Sequence, residues 1–126
     1  MGEDMLKIDM EPIRGFLFIR LVGSLHKGNV SKLDKEVICL LRNARVKNIV
    51  LNIKNLDYVD YYGKKEIING FQVCLINKGN VFVCISDKQK RLFDFDKYKS
   101  LKIITDEPKA FNWYIKEIKW ILKKQF

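Results

Sequence analysis

The chain has 126 residues, a formal charge of +9, and apolar and charged fractions of 48% and 31%. That length fits one domain, 1–126, with one core and argues against a two-domain enzyme with a cleft between its halves. The composition excludes a disordered tail and a fibrous repeat. The longest apolar runs, Phe16 to Ile19 and Asn48 to Ile53, fall far short of the roughly 18 residues that span a bilayer. Met1-Gly2-Glu3-Asp4 has no apolar stretch of a secretory signal, so a cytoplasmic protein is expected.

Met5 to Met10 alternates as a strand does, Phe16 to Val22 supplies a second, and Pro12 to Gly15 reads as the turn of a hairpin between them. Asn29 offers an N-cap for an amphipathic helix reaching Arg45, with Val30, Leu33, Val37, Leu41 and Ala44 on its apolar face. The β-branched run Asn48 to Ile53 is expected to be a central strand covered on both faces. A polar and aromatic loop, Lys54 to Gly63, then leads into a second helix with Ile67, Ile68, Phe71, Cys74 and Leu75 inward and Gly79 as its stop. Val81 to Ile85 is the next buried strand, followed by a short helix from about Asp87 to Phe95 capped by Ser86 or Asp87. Leu101 to Ile104 is a last strand. Thr105 or Asp106 is expected to cap a terminal helix, about 107–124, with Pro108 in its first turn and Phe111, Ile115, Ile118 and Leu122 as its core stripe.

This order predicts an α/β fold: a mixed, mostly parallel sheet of about five strands with an N-terminal β-hairpin and about four helices, joined by right-handed crossovers. Loops at the carboxyl ends of such strands carry function, which points to the segments after Ile53 and Ile85.

Little in the chain suggests catalysis. Cys39, Cys74 and Cys84 are an odd set with no CxxC pair, and His26 is the one histidine, so no metal site is expected. Each cysteine sits in an apolar segment and reads as a small hydrophobe kept reduced. His26 has no nucleophile with an orienting carboxylate to serve, and neither GxxxxGK[ST] nor GxGxxG occurs, so no cofactor is expected. The basic balance comes from 19 lysines and only 5 arginines scattered along the chain, without a block of five or six like charges. Neither nucleic acid nor membrane is therefore the expected partner, although a basic binder of either kind remains the third reading.

Several strings together resemble the STAS domain, in particular the sporulation-type anti-sigma factor antagonist. They are Gly23-Ser24-Leu25-His26 after the second strand, Ile49-Val50-Leu51-Asn52, Asp60-Tyr61-Tyr62-Gly63 opening the second helix, and Lys90-Arg91-Leu92-Phe93-Asp94. The family's versions read Gly-Glu-Leu-Asp, Ile-Val-Leu-Asn, Asp-Ser-Ser-Gly and Lys-Arg-Leu-Phe-Asp, and the likeness runs from about Met5 to Phe111. The resemblance implies a STAS fold and a switch rather than an enzyme: the unmodified form binds a serine-kinase anti-sigma factor, and phosphorylation of the first serine of Asp-Ser-Ser-Gly reverses this. Here that position is Tyr61, the second serine is Tyr62, and the aspartate of the turn is His26. Asp60 alone remains of the two acids expected beside the acceptor.

A phosphate at a helix N-terminus meets free amides and repels neighbouring carboxylates, and serine is short enough to hold it there. A tyrosine hydroxyl lies several ångströms farther out, so kinase control by the usual route is expected to be lost. The residues expected to bind a partner are Ser24, His26, Tyr58, Asp60, Tyr61, Tyr62, Gly63, Lys64 and Lys65: aromatic groups of the kind enriched at binding hot spots, with cations opposing the helix dipole. The alternative is that Tyr61 or Tyr62 folds back over the strand ends in a motif that has drifted. In the terminal helix, Trp113, Tyr114, Trp120, Ile121 and Phe126 add apolar surface beyond the core stripe. Either the helix makes a wider contact with its own sheet, or it meets another copy or a partner groove. The expected function is protein binding like that of an anti-sigma factor antagonist; a scaffold or accessory subunit of a signalling or transport complex is the second reading.

Overall fold

Residues 5–44, 46–76, 78–93 and 101–125 are described by a computed structural model, and they carry five strands and four helices in the predicted order. The strands are β1 (Leu6–Ile13), β2 (Phe16–Leu25), β3 (Asn48–Val59), β4 (Asn80–Cys84) and β5 (Leu101–Ile104). Helix α1 spans 30–44 and includes a π-helical turn, Asp34–Ile38. Helix α2 joins Tyr61–Gly70 to Gln72–Ile76, α3 is Asp87–Phe93 and α4 is Pro108–Gln125. The strands lie in sequence order across one sheet, β1 antiparallel to β2 and every later pair parallel, so β3 is central as its composition predicts.

Residue parity divides the core. Ile49, Leu51 and Ile53 of β3 face one side with Ile19, Leu21, Val81 and Val83, where α1 and α2 cover them with Leu33, Val37, Leu41, Ile67 and Phe71. Val50 faces the other side with Phe16, Phe18 and Phe82, where α4 contributes Ala110, Phe111 and Trp113. The π-helical turn adds a residue to the helical repeat, and Val37 and Ile38 are both buried, where a regular helix was expected to bury Val37 alone. Among the described residues no helix is long and apolar enough to cross a membrane. The three cysteines are unpaired; Cys74 and Cys84 are buried, and burial pushes both thiols up to about 11, so they stay protonated and inert at neutral pH.

Several boundaries differ from expectation for identifiable reasons. The hairpin turns on Arg14 and Gly15 alone, both with positive φ (49° and 85°), while Pro12 stays within β1 opposite Leu17. A paired turn of that kind matches strand twist, and an edge strand tolerates the missing N–H of proline. β2 runs on to Leu25, bending at Gly23 (φ 107°), where a Cβ would stand 2.0 Å from the Met5 carbonyl oxygen. β3 runs on to Val59, so the expected loop at Lys54 to Val59 is strand: Asn55, Leu56, Tyr58 and Val59 pair with the extended end of β2 across two register shifts. Asn29 stands at the N-cap position of α1 but does not cap it. Its Oδ1 accepts from His26 N at 2.9 Å, and its Nδ2 donates to the Ser24 carbonyl at 3.0 Å, bracing the preceding turn. The predicted reach of α1 to Arg45 and of α3 to Phe95 falls outside the described residues, as does Phe126.

The largest departure is in α4. Ala110 is fully buried and Trp113 packs edge-on against Phe82, but Ile115, Ile118 and Leu122 of the expected core stripe are 50%, 38% and 48% exposed. The aromatic face of the sheet ends at Phe16, whose ring meets Phe111 and Tyr114, and α4 continues past it. Thr105 and Asp106 both engage the ammonium group of Lys109 in the first turn.

What fixes the start of α4 is a charge network across the sheet. Arg20 on β2 holds both carboxylate oxygens of Glu107 at 2.9 Å, reaches Asp9 and Glu11 of β1 at 3.2 Å, and shares Glu107 with Asn52 of β3, whose Nδ2 donates at 2.8 Å. The bond from Arg20 holds the Glu107 carboxyl below its ordinary value of 4.5 against the opposing effect of burial. A carboxyl depressed in this way stabilises the folded state in full above about pH 4.5, and the contribution disappears as pH falls through the lowered folded value. Glu107→Gln is expected to cost about 2 kcal/mol at pH 7 and much less at pH 3. Thermal melts of both proteins at the two pH values measure this, and an equal loss at both would exclude the charge network as its source.

Candidate protein-binding site

The predicted site residues gather at the carboxyl ends of the strands, where the turn after β2 meets the junction of β3 with α2. Asp60 makes that junction. Its backbone is extended (φ −90°, ψ −177°), its N–H donates to the Leu25 carbonyl at 3.1 Å, and its Oδ1 accepts from Gly63 N at 2.8 Å, capping α2. The other oxygen, Oδ2, accepts from Lys27 N at 3.0 Å, 33 residues away in sequence. Burial works to raise the Asp60 carboxyl, but the amides of Gly63, Lys27 and Tyr62 and the nearby His26 outweigh it and hold the group below its ordinary range. Asp60 is therefore a carboxylate at any physiological pH, and it supplies the negative charge at an α2 N-terminus whose first turn contains no acid.

Because α2 begins at Tyr61, the two tyrosines and Gly63 form its first turn rather than the loop the sequence suggested. Gly63 is buried, and a Cβ there would lie 2.7 Å from the Leu25 carbonyl oxygen and 2.9 Å from Leu25 Cγ. Only glycine lets the helix approach the end of β2 so closely. The tyrosines point outward: Tyr61 is 70% exposed and Tyr62 46%, so neither folds back over the strand ends. Their rings meet edge-on at 5.5 Å, and the ammonium of Lys27 lies 5.2 Å from the Tyr62 ring centroid. Tyr58, at the end of β3, is also exposed.

The remaining predicted residues take different parts. Lys65 is exposed and Lys64 half-buried in the second turn. His26 is half-buried, with Nδ1 accepting from Gly28 N at 3.0 Å, which shapes the turn. Ser24 is not on the surface: it lies inside β2 at 4% exposure, and its carbonyl anchors Asn29. Ser24 and Gly63 are both buried and do structural work beneath the exposed part of the site. Two residues were not singled out from the sequence. Lys27 lies in the turn at Ser24 to Gly28, which was expected to take part, but its bond to Asp60 comes only through folding. Gln89 forms a reciprocal capping box with Ser86 (3.0 and 3.2 Å) and donates from Nε2 to the Ile53 carbonyl at 2.7 Å, holding the irregular stretch of β3. The spacing Ser86-x-x-Gln89 was the available signal for it.

Residues 7–110 match the family model of the STAS domain. The chain belongs to that family. Over 107 residues it is 28% identical to the anti-sigma F factor antagonist of Paenibacillus polymyxa, covering 83% of this chain and 92% of that protein. Two solved structures share the fold of this STAS domain. An anti-sigma factor antagonist from Mycobacterium paratuberculosis superposes with a TM-score of 0.73 at 13% identity, over 86% of this chain and 93% of the other. The unphosphorylated form of the anti-sigma factor antagonist SpoIIAA gives 0.66 at 16%, over 87% and 98%. This STAS domain is thus similar in sequence to an anti-sigma factor antagonist and shares the sheet of SpoIIAA.

If Asp60 and Gly63 set the junction, Asp60→Ala is expected to lose about 1 kcal/mol of stability through the missing cap. Gly63→Ala is expected to lose more, because both the Leu25 backbone and the helix must shift. Urea unfolding of the two variants measures this, and a Gly63→Ala protein as stable as the parent would refute the close approach.

Proposed function

We propose that this STAS domain, acting as one unit in the cytoplasm, binds an anti-sigma factor of the serine-kinase type through the end of the sheet built on Asp60, and that serine phosphorylation does not switch it. The supporting observation is the outward-facing Tyr61-Tyr62 pair at the start of α2, where the family resemblance places the phosphorylated serine. The proposed role is binding rather than catalysis.

The chemistry of the site suits such a partner. Tyr58, Tyr61 and Tyr62 offer aromatic area at low side-chain entropy, and edge-on contact between the last two restrains them before binding. Lys27, Lys64 and Lys65 surround them with positive charge near the positive end of α2. An acidic surface on the partner relieves that excess, and the kinase active site beside it finds no short hydroxyl to modify. Ser24, the nearest serine on β2, is buried and out of reach of a kinase while the domain is folded.

Tyr61→Ala and Lys64→Glu are expected to weaken capture of a kinase-fold anti-sigma factor at least tenfold in a pull-down or by calorimetry. The melting temperature should stay within about 2 °C in the Tyr61→Ala protein, because that side chain packs against little else. Capture unaffected by either change would move the interface elsewhere on the domain and favour a scaffold role. With ATP and the same kinase, intact-mass measurement should show no added phosphate; phosphorylation at Ser24 or Ser86 would overturn the fixed-state reading.

A further inference from the structure

The distal half of α4 is unexplained by the site at the carboxyl end of the sheet. α4 begins beside Arg20 and Asn52, crosses Phe18 and Phe16, and leaves the sheet at the opposite end, next to the β1–β2 hairpin. The residues matched to the STAS family stop at 110, in its first turn. Beyond Tyr114 the helix has no aromatic face of the sheet beneath it, and Ile115, Ile118, Ile121 and Leu122 are all exposed.

These four residues continue the stripe that Ala110, Phe111 and Tyr114 lay against the sheet, within an arc of about 140° at 100° per residue. Lys109, Lys116, Lys119 and Lys123 occupy an arc of about 80° on the opposite side. Trp120 stands between the lysines and the rest of the helix, more than half exposed, with the ammonium of Lys124 4.0 Å from its ring centroid. Glu117 is the one acid in α4. At the same end of the domain the loops expose Arg14, at the hairpin tip, Lys47, before β3, and Lys78, before β4. An apolar stripe, a lysine face, a tryptophan between them and a rim of further cations are what an anionic lipid surface selects: the stripe enters the acyl boundary while the lysines reach phosphate.

We propose that the distal half of α4 and the amino end of the sheet form a docking face for an anionic phospholipid bilayer, with the exposed stripe of α4 entering it. A second copy of the chain fits less well. Pairing the stripes would bring two molecules of charge +9 together through a contact only about two helical turns long. This revises the expectation of no membrane partner, which rested on basic residues scattered along the sequence without a block of like charges.

The test uses the full chain and unilamellar vesicles of phosphatidylcholine with about 30% phosphatidylserine, against phosphatidylcholine alone, read by co-sedimentation and tryptophan emission. Binding is expected only with phosphatidylserine, with a blue shift in emission, and is expected to weaken about fivefold for each lysine neutralised. Ile118→Asp with Ile121→Asp is expected to reduce partition at least tenfold without changing the melt, since neither side chain reaches the core. Failure to pellet with anionic vesicles would overturn the proposal, as would partition that the double aspartate variant leaves unchanged, which is bulk charge alone. A concentration-dependent dimer in sedimentation equilibrium, abolished by the same variant and without lipid binding, would overturn it in favour of a second copy. None of these outcomes depends on the site at Asp60, which the variants leave intact.

Discussion

The arrangement of the carboxyl end depends on one carboxylate with two jobs. Asp60 caps α2 through Gly63 N and holds the turn after β2 through Lys27 N, while its own N–H bonds to the end of β2. Two segments distant in sequence, the end of β2 with its turn and the start of α2, are thus fixed at one residue. The charge survives partial burial because backbone amides replace the water it has lost. Tyr61 follows Asp60 directly, so its direction is set by the cap, and Tyr62 is set with it by the shared helical turn. Gly63 completes the constraint by letting that turn rest on Leu25 without the clash any side chain would bring.

The same geometry accounts for why a change at two positions alters what the proposed site can do. A serine in the first turn of α2 would keep its hydroxyl close to the amides and to Asp60, where a phosphate dianion would feel both the favourable dipole and the unfavourable carboxylate. A phenol directed outward separates its hydroxyl from both. The outward phenols supply apolar area, and the Lys27 ammonium over Tyr62 joins the turn to the helix on the outside as Asp60 does beneath. In the proposed reading, regulation therefore moves from the covalent state of this residue to the supply of the domain and its partner.

The sequence made the strand order and the two core layers legible because apolar parity in Ile49 to Ile53 and helical spacing in Leu33, Val37 and Leu41 are local patterns. It concealed whatever depends on distant pairing. The strand character of Lys54 to Val59 comes from the extended β2 beside it and from Gln89 beneath, since the segment itself is polar and breaks alternation. Asn29 has the composition of a cap but a better use in bracing the turn at Ser24 and His26. At the site, the four-residue string at Asp60 marked the tyrosines, yet nothing local separates Ser24, which is buried, from Lys27, which is exposed and 33 residues from the aspartate it bonds. In α4, periodicity identified an apolar face, but whether a sheet lies under it depends on where Phe16 ends the aromatic layer.

The two ends of the sheet are mechanically distinct. Arg20, Glu107 and Asn52 pin the start of α4 to the middle of β2 and β3, and Trp113 is held between Phe82 and the ammonium of Lys102, 4.8 Å from its ring. The direction in which α4 leaves the domain is therefore fixed by packing already complete at Tyr114, and the exposed stripe is presented rather than trailing. Its direction runs away from Asp60. A bilayer seated on α4 would leave Tyr61 and Tyr62 on the far side of the sheet, open to a protein partner, so adsorption would concentrate the domain at a surface without covering the site that the family resemblance singles out. An interface between copies at α4 would likewise leave that site open, but it would bring two molecules of charge +9 together through one short contact. Repulsion between their net charges opposes pairing, whereas the same positive charge favours an anionic surface.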